Sequence, residues 1–247
     1  MVQSEPQVYV IFGATGGIGM ALARRLASGG NRLLLVGRDK TKLSPIADET
    51  QAESLLADAT NVAEVDAAID SAISRFGKVD GVANCVGSLL LKPINLTSEQ
   101  EWNSVISTNL GSAFAVTRAS VRAMTHTGGS IVLVSSAASR IGLANHEAIA
   151  AAKGAINGLV ISAAATYAPR AIRVNAIAPG LVRTPLTTRI TANEAALKSS
   201  TSLHAIGRIG EAEEVASGLA WLLDPAQSWV TGQIIGIDGG LGSVRSR

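Results

Sequence analysis

Cysteine, aromatic residues and net charge are all scarce in this sequence. The single cysteine, Cys85, excludes an internal disulfide framework, and no Cys or His spacing typical of a metal site occurs. The formal charge of +2 comes from Lys and Arg residues scattered along the chain, which argues against a nucleic-acid partner. With 3% aromatic residues there is no evident stacking platform for a sugar or a steroid. We therefore expect neither a metal nor nucleic acid to bind, and composition does not identify a substrate.

Targeting and membrane signals are missing as well. Residues 1–7 form a polar N-terminal extension without the basic and then apolar pattern of a secretory signal. The longest apolar stretch, 154–168, is interrupted by Asn157, Ser162 and Thr166, so we interpret it as a buried helix that falls short of a membrane span. Together with the single cysteine, these features favour a cytoplasmic protein without a membrane partner.

Short apolar runs alternate with alanine-rich helical stretches, and 47% of the residues are hydrophobic. Strands are predicted at 8–12, 32–36, 81–84, 131–135, 173–178 and 234–237. Helices are predicted near 17–28, 63–76, 99–124, 147–168 and 213–223. Ser44 followed by Pro45 predicts the start of a further helix. The alternation indicates an α/β fold, a doubly wound Rossmann-type parallel sheet with helices on both faces, in a single domain over 1–247.

The first predicted strand runs directly into a glycine-rich turn. The apolar run 8–12 is followed by Gly-Ala-Thr-Gly-Gly-Ile-Gly and then by a helical pattern. Glycines at such a junction let backbone N–H groups at the helix N-terminus approach a pyrophosphate. The alternative is that the glycines only make a tight turn. The order of strand, turn and helix favours a dinucleotide site formed by Gly13, Thr15, Gly16, Gly17, Ile18 and Gly19.

The end of the second strand bears on the type of cofactor. An acidic side chain there would bind the ribose 2′-hydroxyl of NAD, but the strand continues into Gly37, Arg38 and Asp39. Arg38 can pair with the 2′-phosphate of NADP, so NADP(H) is favoured over NAD(H). Alternatively, Arg38 is a solvated charge and Asp39 caps a turn. Asp58 follows the apolar pair at 55–56, where the tip of a third strand could meet the adenine.

Several further motifs occur in the order in which one enzyme family carries them. They are Gly13-x-x-x-Gly17-Ile-Gly19, Asn84-Cys-Val-Gly87, Asn109 in Thr-Asn-Leu, Ser136 in Val-Ser-Ser, Pro179-Gly180-x-Val182-x-Thr184 and the segment 231–240. Over nearly its whole length the sequence resembles the short-chain dehydrogenase/reductases. It departs from the family pattern at Phe12, Cys85 and Val86, where Thr, Asn and Ala are usual.

The resemblance implies an oxidoreductase that interconverts a small carbonyl compound and an alcohol. It places Asn84 and Gly87 beside the cofactor, and it makes Asn109 and Ser136 catalytic. It assigns contacts with the nicotinamide carboxamide to Pro179, Gly180, Val182 and Thr184. It also implies a homo-oligomer, with a tetramer favoured, that packs through the C-terminal strand in 231–240. Because 186–207 follows Thr184 and mixes Thr, Ser and Ala, we expect it to form a substrate lid.

One residue of the family's catalytic set is missing. In the family, a Tyr thirteen residues after the catalytic Ser and a Lys four residues later carry the proton chemistry. Counting from Ser136 places Ile149 at the tyrosine position and Lys153 at the lysine position. An isoleucine cannot donate a proton, and a positioned general acid contributes about 10²- to 10⁴-fold. Lys153 can still bind the cofactor ribose.

His146 and Glu147 are the nearest candidates to replace the tyrosine. His146 lies one helical turn before Ile149, and a histidine side chain titrates near neutrality. We hypothesise that His146, helped by Ser136 and Glu147, takes the proton role. The alternative is that His146 only lines the pocket or caps the helix, while Glu147 is a favourable charge in its first turn.

Three functional interpretations therefore stay open. The first is an NADP(H)-dependent carbonyl reductase or alcohol dehydrogenase with an altered acid. The second is a catalytically silent NADP(H)-binding protein that acts as a sensor or a partner subunit. The third is an ordinary reductase into which Ile149 was introduced.

Overall fold

A twisted parallel sheet forms the centre of the computed structural model, which describes residues 5–244. The strands, in chain order, are β1 (Val8–Phe12), β2 (Arg32–Gly37), β3 (Glu53–Leu56), β4 (Gly81–Asn84), β5 (Gly129–Val134), β6 (Ile172–Pro179), β7 (Val182–Arg183), β8 (Gly210–Glu211) and β9 (Ile234–Ile237). Seven of them make the central sheet in the order β3-β2-β1-β4-β5-β6-β9, and every pairing is parallel. β7 and β8 form a separate two-stranded sheet.

Helices cover both faces of the central sheet. They are α1 (Gly17–Ser28), α2 (Lys40–Thr50), α3 (Val62–Phe76), α4 (Glu99–Ile106), α5 (Ser112–Met124), α6 (Glu147–Tyr167), α7 (Thr188–Thr191), α8 (Glu194–Leu203) and α9 (Ala212–Leu223). Along β1, Val10 and Phe12 pack with α3, α5 and α6, whereas Tyr9 and Ile11 pack with α1, α2 and α9. A strand buried on both faces has to be apolar at every position, which explains the uninterrupted run at 8–12. The predicted doubly wound α/β fold is confirmed.

The helix after β2 starts earlier than the sequence predicted. Asp39 is its N-cap, and its Oδ1 atom accepts a hydrogen bond of 2.9 Å from the Thr41 N–H group. The predicted start at Ser44 and Pro45 is therefore wrong, and Pro45 lies inside α2. The physical reason is that Asp39, immediately after the strand, satisfies a free N–H group of the first turn before Ser44 is reached.

The long helix predicted near 99–124 is interrupted. A π-helical turn, Ser107–Gly111, separates α4 from α5, and it contains the fully buried Asn109. Such bulges are rare and widen the helix locally, which turns the side chain of Asn109 toward the loop after β4.

Helix α6 is the longest helix of the described residues and is strongly apolar. With the turn that follows it, Glu147–Arg170 is long and apolar enough to cross a membrane by length and composition, at a mean hydropathy of 1.5. This differs from the expectation for 154–168, which left out the first turns of the helix. In the structure 44% of the apolar window is buried, and Ile156 and Val160 pack in the core on one face of the sheet. Contact with the sheet therefore accounts for the apolar residues on one face of α6, while Ile161 on the same helix is exposed.

Candidate active site

Three adjoining cavities open at the carboxyl edge of the sheet, where the strand order reverses between β1 and β4. In open α/β sheets, ligands bind in this crevice. We name them the outer cleft, of about 160 Å³, the inner pocket, of about 140 Å³, and the large cavity, of about 560 Å³. Cys85, Val86 and Gly87 line both the outer cleft and the inner pocket. Ser136 and Ile149 line both the inner pocket and the large cavity, so the three form one trough.

The glycine turn between β1 and α1 forms one wall of the outer cleft. Gly13 has a left-handed backbone with φ +75°, and a Cβ there would lie 2.8 Å from the backbone of Cys85. A Cβ at Gly19 would overlap the carbonyl oxygen of Gly13, and one at Gly17 would lie 2.9 Å from the side chain of Thr184. Three of the four glycines are therefore required by the packing of the protein itself.

Gly16 differs from the other three glycines. A Cβ there would make only an ordinary contact, 3.4 Å from the Gly13 carbonyl oxygen. Gly16 is also the N-cap of α1, so no side chain caps the first N–H groups of that helix. Uncapped N–H groups at the positive end of a helix dipole are suited to a phosphate. Thr15 lines the outer cleft beside Gly16, and Ile18 lines the inner pocket.

Arg38 and Asp58 also line the outer cleft, beyond the ends of β2 and β3. The Arg38 side chain is 70% exposed, and its guanidinium lies 3.5 Å from the Asp58 carboxylate. The pKa of Asp58 is lowered mainly because the Thr60 backbone N–H donates to its carboxylate, with a smaller effect of Arg38. Asp39 caps α2, as one of the two alternatives predicted. The Asp39 carboxylate is thus engaged in capping α2, and the long Arg38 side chain extends into solvent at the outer cleft.

Lys153 is the buried cation of the inner pocket. Its side chain extends from α6, the residue is 6% exposed, and its ammonium donates a 2.7 Å hydrogen bond to the Val134 carbonyl. Burial lowers the pKa of Lys153 to about 8. An ammonium has three N–H donors, and within residues 5–244 only this one acceptor is in place. The remaining donors can serve a ligand in the inner pocket.

Two buried asparagines fix the loop that separates the outer cleft from the inner pocket. Asn84, at the end of β4, accepts from the Val86 N–H at 3.1 Å and donates to the Ser112 hydroxyl at 3.1 Å. Asn109 donates to the Val105 carbonyl at 2.9 Å and to the Ser88 hydroxyl at 3.0 Å. Both side chains thus hold the loop backbone around Gly87. A Cβ on Gly87 would lie 3.1 Å from the Asn109 amide oxygen and 3.6 Å from the Lys153 nitrogen.

Ser136 and Ile149 meet at the junction of the inner pocket and the large cavity. The Ser136 hydroxyl oxygen accepts from the Ala138 N–H at 3.1 Å, which leaves its own O–H free to donate to a ligand. Ile149 is 3% exposed and packs in an apolar cluster with Val105 and Ala152. At the centre of the trough, the hydroxyl of Ser136 therefore faces a hydrocarbon side chain.

His146 lines the large cavity together with Ser136 and Ile149, as the sequence predicted. Its Nδ1 atom lies 2.7 Å from the Ala144 carbonyl. Because a carbonyl only accepts, Nδ1 carries the hydrogen, and Nε2 is the nitrogen that can exchange a proton with a ligand. Glu147, in contrast, is exposed in the first turn of α6 and does not line the large cavity. The structure does not bring Glu147 to the trough.

The two tyrosines of the chain lie elsewhere. Tyr9 is buried inside β1, where desolvation raises its pKa to about 12. Tyr167 ends α6, and eighteen residues of helix separate it from Ile149, about 27 Å at 1.5 Å per residue. Neither phenol reaches Ser136 and Lys153.

The segment after β6 closes the other side of the trough. The inner pocket is lined here by Pro179, Gly180, Val182 and Thr184. The predicted lid, 186–207, contains α7 and α8, and Ile190 and Leu203 from these helices line the large cavity.

The sequence analysis missed His204, which fastens this segment to the sheet. Its Nδ1 lies 2.7 Å from the Ser200 carbonyl, and its Nε2 accepts a 3.1 Å hydrogen bond from the Leu181 N–H. A Cβ on Gly180 would lie 2.5 Å from the same Nε2 atom. No sequence motif marks this contact, because its partners lie 23 residues apart and meet only in the folded chain.

Neither a thiolate nor a metal centre emerges at the trough. Burial raises the pKa of Cys85 to about 12, so its thiol stays protonated near neutrality. Within the described part of the chain, no group of three or more His, Cys, Asp or Glu residues is placed to hold a metal ion. The groups described above that can still donate a hydrogen bond or exchange a proton with a ligand include the Ser136 hydroxyl, the His146 imidazole and the Lys153 ammonium.

Comparison with known proteins identifies the family of this chain. The model of the family described as enoyl-(acyl carrier protein) reductase matches residues 13–242. The short-chain reductase protein NovJ of Streptomyces niveus is 34% identical over 248 residues, covering 96% of this chain and 94% of the relative. A variant of actinorhodin polyketide ketoreductase, solved with NADPH, has a TM-score of 0.92 at 28% identity and covers 99% of this chain and 100% of its own. Gluconate 5-dehydrogenase from Burkholderia cenocepacia J2315, solved with NADP and tartrate, has a TM-score of 0.92 at 28% identity, with coverages of 97% and 96%. The chain belongs to the short-chain dehydrogenase/reductase family of oxidoreductases.

Proposed function

We propose that the protein is an NADP(H)-dependent oxidoreductase that interconverts a carbonyl compound and an alcohol with an atypical proton donor. The observation that carries this proposal is the buried ammonium of Lys153. It has one protein acceptor, and it lies between the glycine-lined outer cleft and the large cavity. A buried cation with free donors is costly unless a ligand supplies acceptors, and the ribose hydroxyls of a dinucleotide would do so.

The residues of the trough fit a dinucleotide. The uncapped N-terminus of α1 at Gly16 would hold the pyrophosphate, and Lys153 would hold the nicotinamide ribose. Arg38, whose acidic neighbour Asp39 is engaged in capping α2, would pair with a 2′-phosphate, which favours NADP(H) over NAD(H). When bound, NADPH supplies the hydride. The solved relatives that carry NADPH or NADP agree with this choice.

Ile149 is proposed to occupy the position of the family's tyrosine. The helical spacing of Ile149 and Lys153 puts both on one face of α6, beside the hydroxyl of Ser136. Three residues of the chain then have separate roles. Ser136 donates a hydrogen bond to the substrate oxygen, and Lys153 binds and orients the cofactor. His146 exchanges a proton through Nε2 at the wall of the large cavity, which Ser136 also lines.

A second function is favoured by the apolar surroundings of Ile149. Ile149 is a hydrocarbon side chain that packs with Val105 and Ala152, so the residue at this position can neither give nor take a proton. If His146 does not reach the substrate oxygen, the protein binds NADP(H) without turnover, as a sensor or a partner subunit. The trough for the dinucleotide supports both functions equally.

The remaining expectations are also part of this proposal. Association into a homo-oligomer, with a tetramer favoured, is supported by large exposed apolar side chains, of which Trp229 is 98% exposed and Ile161 56% exposed. β9 is the last strand of the described sheet, so its outer edge is open to pairing. We propose a cytoplasmic protein that acts on small molecules and has no nucleic-acid or membrane partner.

The test of the function is turnover with matched variants. The protein is incubated with NADPH and a panel of ketones, and loss of NADPH absorbance and formation of alcohol are measured together. We expect slow reduction by the wild type and a further loss in His146→Ala, with a changed pH profile. Unchanged turnover and an unchanged pH profile in His146→Ala would show that His146 is not the acid. Tight NADPH binding without any alcohol would favour the silent binding protein.

A further inference from the structure

The large cavity is walled mainly by aliphatic side chains. They come from the loop after β4, the loop before α6, α6 itself and the predicted lid, and include Leu89, Leu91, Leu143, Ile149, Ile190 and Leu203. Its volume of about 560 Å³ lies within the range of cavities that bind drug-sized ligands. Hydrocarbon groups of a substrate that contact these side chains are removed from water.

Charge is absent from this wall in the described part of the chain, where no Lys, Arg, Asp or Glu lines the large cavity. Two charged side chains near the wall in sequence lie elsewhere. The Arg140 guanidinium lies so close to β9 that a Cβ on Gly236 would be 2.9 Å from it, and Glu147 is exposed to solvent. Lys153 is confined to the inner pocket, where the proposed function assigns it to the cofactor.

The two histidines of the wall do not compensate for this absence. Both ring nitrogens of His204 are occupied, because Nδ1 donates to the Ser200 carbonyl and Nε2 accepts from the Leu181 N–H. His146 has one nitrogen open, and the proposed function assigns this nitrogen to the carbonyl oxygen held by Ser136, so a charge elsewhere on the substrate gains no partner from it. The remaining polar groups are hydroxyls and amides, which can form hydrogen bonds but cannot neutralise an ion.

We propose that the substrate is an uncharged aliphatic or alicyclic carbonyl compound, bound with its carbonyl at Ser136 and its hydrocarbon part against Leu203 and Ile190. This inference rests on the proposed function. A carboxylate or ammonium against this wall would lose part of its hydration without gaining a counter-ion, so charged ketones bind more weakly than neutral ones. Added methylene groups on the ring gain by burial, about fourfold in affinity for each.

Binding of matched ketones tests the substrate class without relying on turnover. The protein is titrated calorimetrically with 4-alkylcyclohexanones from methyl to butyl and with 4-oxocyclohexanecarboxylate, with and without NADP⁺, which cannot donate a hydride. We expect the dissociation constant to fall about fourfold per methylene. We expect the carboxylate to bind at least about tenfold more weakly than 4-ethylcyclohexanone.

A variant pair keeps the test specific to charge. Leu203 is 49% exposed and lines the large cavity, so Leu203→Arg places a cation in the wall without burying it, and Leu203→Gln is the neutral control. We expect Leu203→Arg, and not Leu203→Gln, to improve binding of the carboxylate relative to the neutral ketone by about two- to fivefold, the value of an exposed ion pair.

The results of these experiments distinguish a failure of the proposed substrate class from a failure of the proposed reductase function. Equal affinity for the carboxylate and the neutral ketone, a flat alkyl series, or no binding of any ketone would overturn the substrate class. Reduction of charged and neutral ketones with equal kcat/KM would also overturn it and leave the reductase standing. Selective binding of neutral ketones with no NADPH oxidation would contradict the reductase and leave the specificity of the cavity intact.

Discussion

Introducing a phenol at position 149 changes a side chain that lies at the junction of the inner pocket and the large cavity. Ile149 and Lys153 are separated by one helical turn, so their Cβ atoms lie roughly 6 Å apart on one face of α6. In Ile149→Tyr the new hydroxyl therefore enters the trough beside the Lys153 ammonium and the Ser136 hydroxyl. The adjacent positive charge lowers the pKa of the new phenol and favours proton exchange.

The expected gain follows from the value of a positioned acid. General acid catalysis contributes about 10²- to 10⁴-fold, which corresponds to roughly 3 to 5 kcal/mol of the barrier. The larger side chain also lowers folding stability, typically by about 1–3 kcal/mol in a filled core. Ile149 borders two cavities, of about 140 and 560 Å³, so the ring has free volume on one side and the cost lies at the low end. We expect kcat for reduction of a neutral ketone to rise at least about a hundredfold.

The assay compares three proteins under the same conditions. NADPH oxidation and alcohol formation are measured for the wild type, Ile149→Tyr and Ile149→Phe, and NADPH affinity is measured for each. The phenylalanine variant has the same ring without the hydroxyl, so it reports the effect of shape alone. If Ile149→Tyr is no faster than Ile149→Phe while all three bind NADPH, position 149 is not the acid position. If the wild type is already as fast as Ile149→Tyr, another group supplies the proton.

Two further predictions follow from the turn and from the buried lysine. Gly19→Ala should lower Tm because its Cβ overlaps the Gly13 carbonyl oxygen, whereas Gly16→Ala should leave Tm nearly unchanged and weaken NADPH binding. Thermal unfolding and NADPH titration of both variants check this prediction. Equal effects of the two variants on Tm would contradict it. NADPH affinity should fall about tenfold as pH rises through 8, since Lys153 loses its positive charge there and a neutral amine makes a weaker hydrogen bond. Titrations across this range should show no such fall in Lys153→Met, and a fall of the same size in that variant would assign it to another group.

The sequence predicted the fold and the location of the trough because both depend on local patterns. Apolar runs such as 8–12 report burial on both faces, and the order of strand, turn and helix places the glycines at the carboxyl edge of the sheet. The family resemblance of the catalytic segment drew attention to Ile149 and Lys153, and the structure shows that both line the inner pocket.

What the sequence could not predict depends on contacts between distant segments. The glycine motif was attributed to a pyrophosphate, yet Gly13 and Gly19 are required by each other and by the loop after β4. The helix start at Asp39 was missed because proline at an N-terminal position was given more weight than the side-chain cap. His204 carries no local signal because its partner Leu181 lies 23 residues earlier, in the loop between β6 and β7.

Titration of the wild type and of Arg38→Ala with NADPH and NADH measures whether the protein binds a dinucleotide and which one it prefers. We expect the wild type to bind NADPH more tightly than NADH, and we expect Arg38→Ala to remove the preference by weakening NADPH binding and leaving NADH binding unchanged. Failure to bind either dinucleotide, or tighter binding of NADH by the wild type, would contradict the proposed cofactor site.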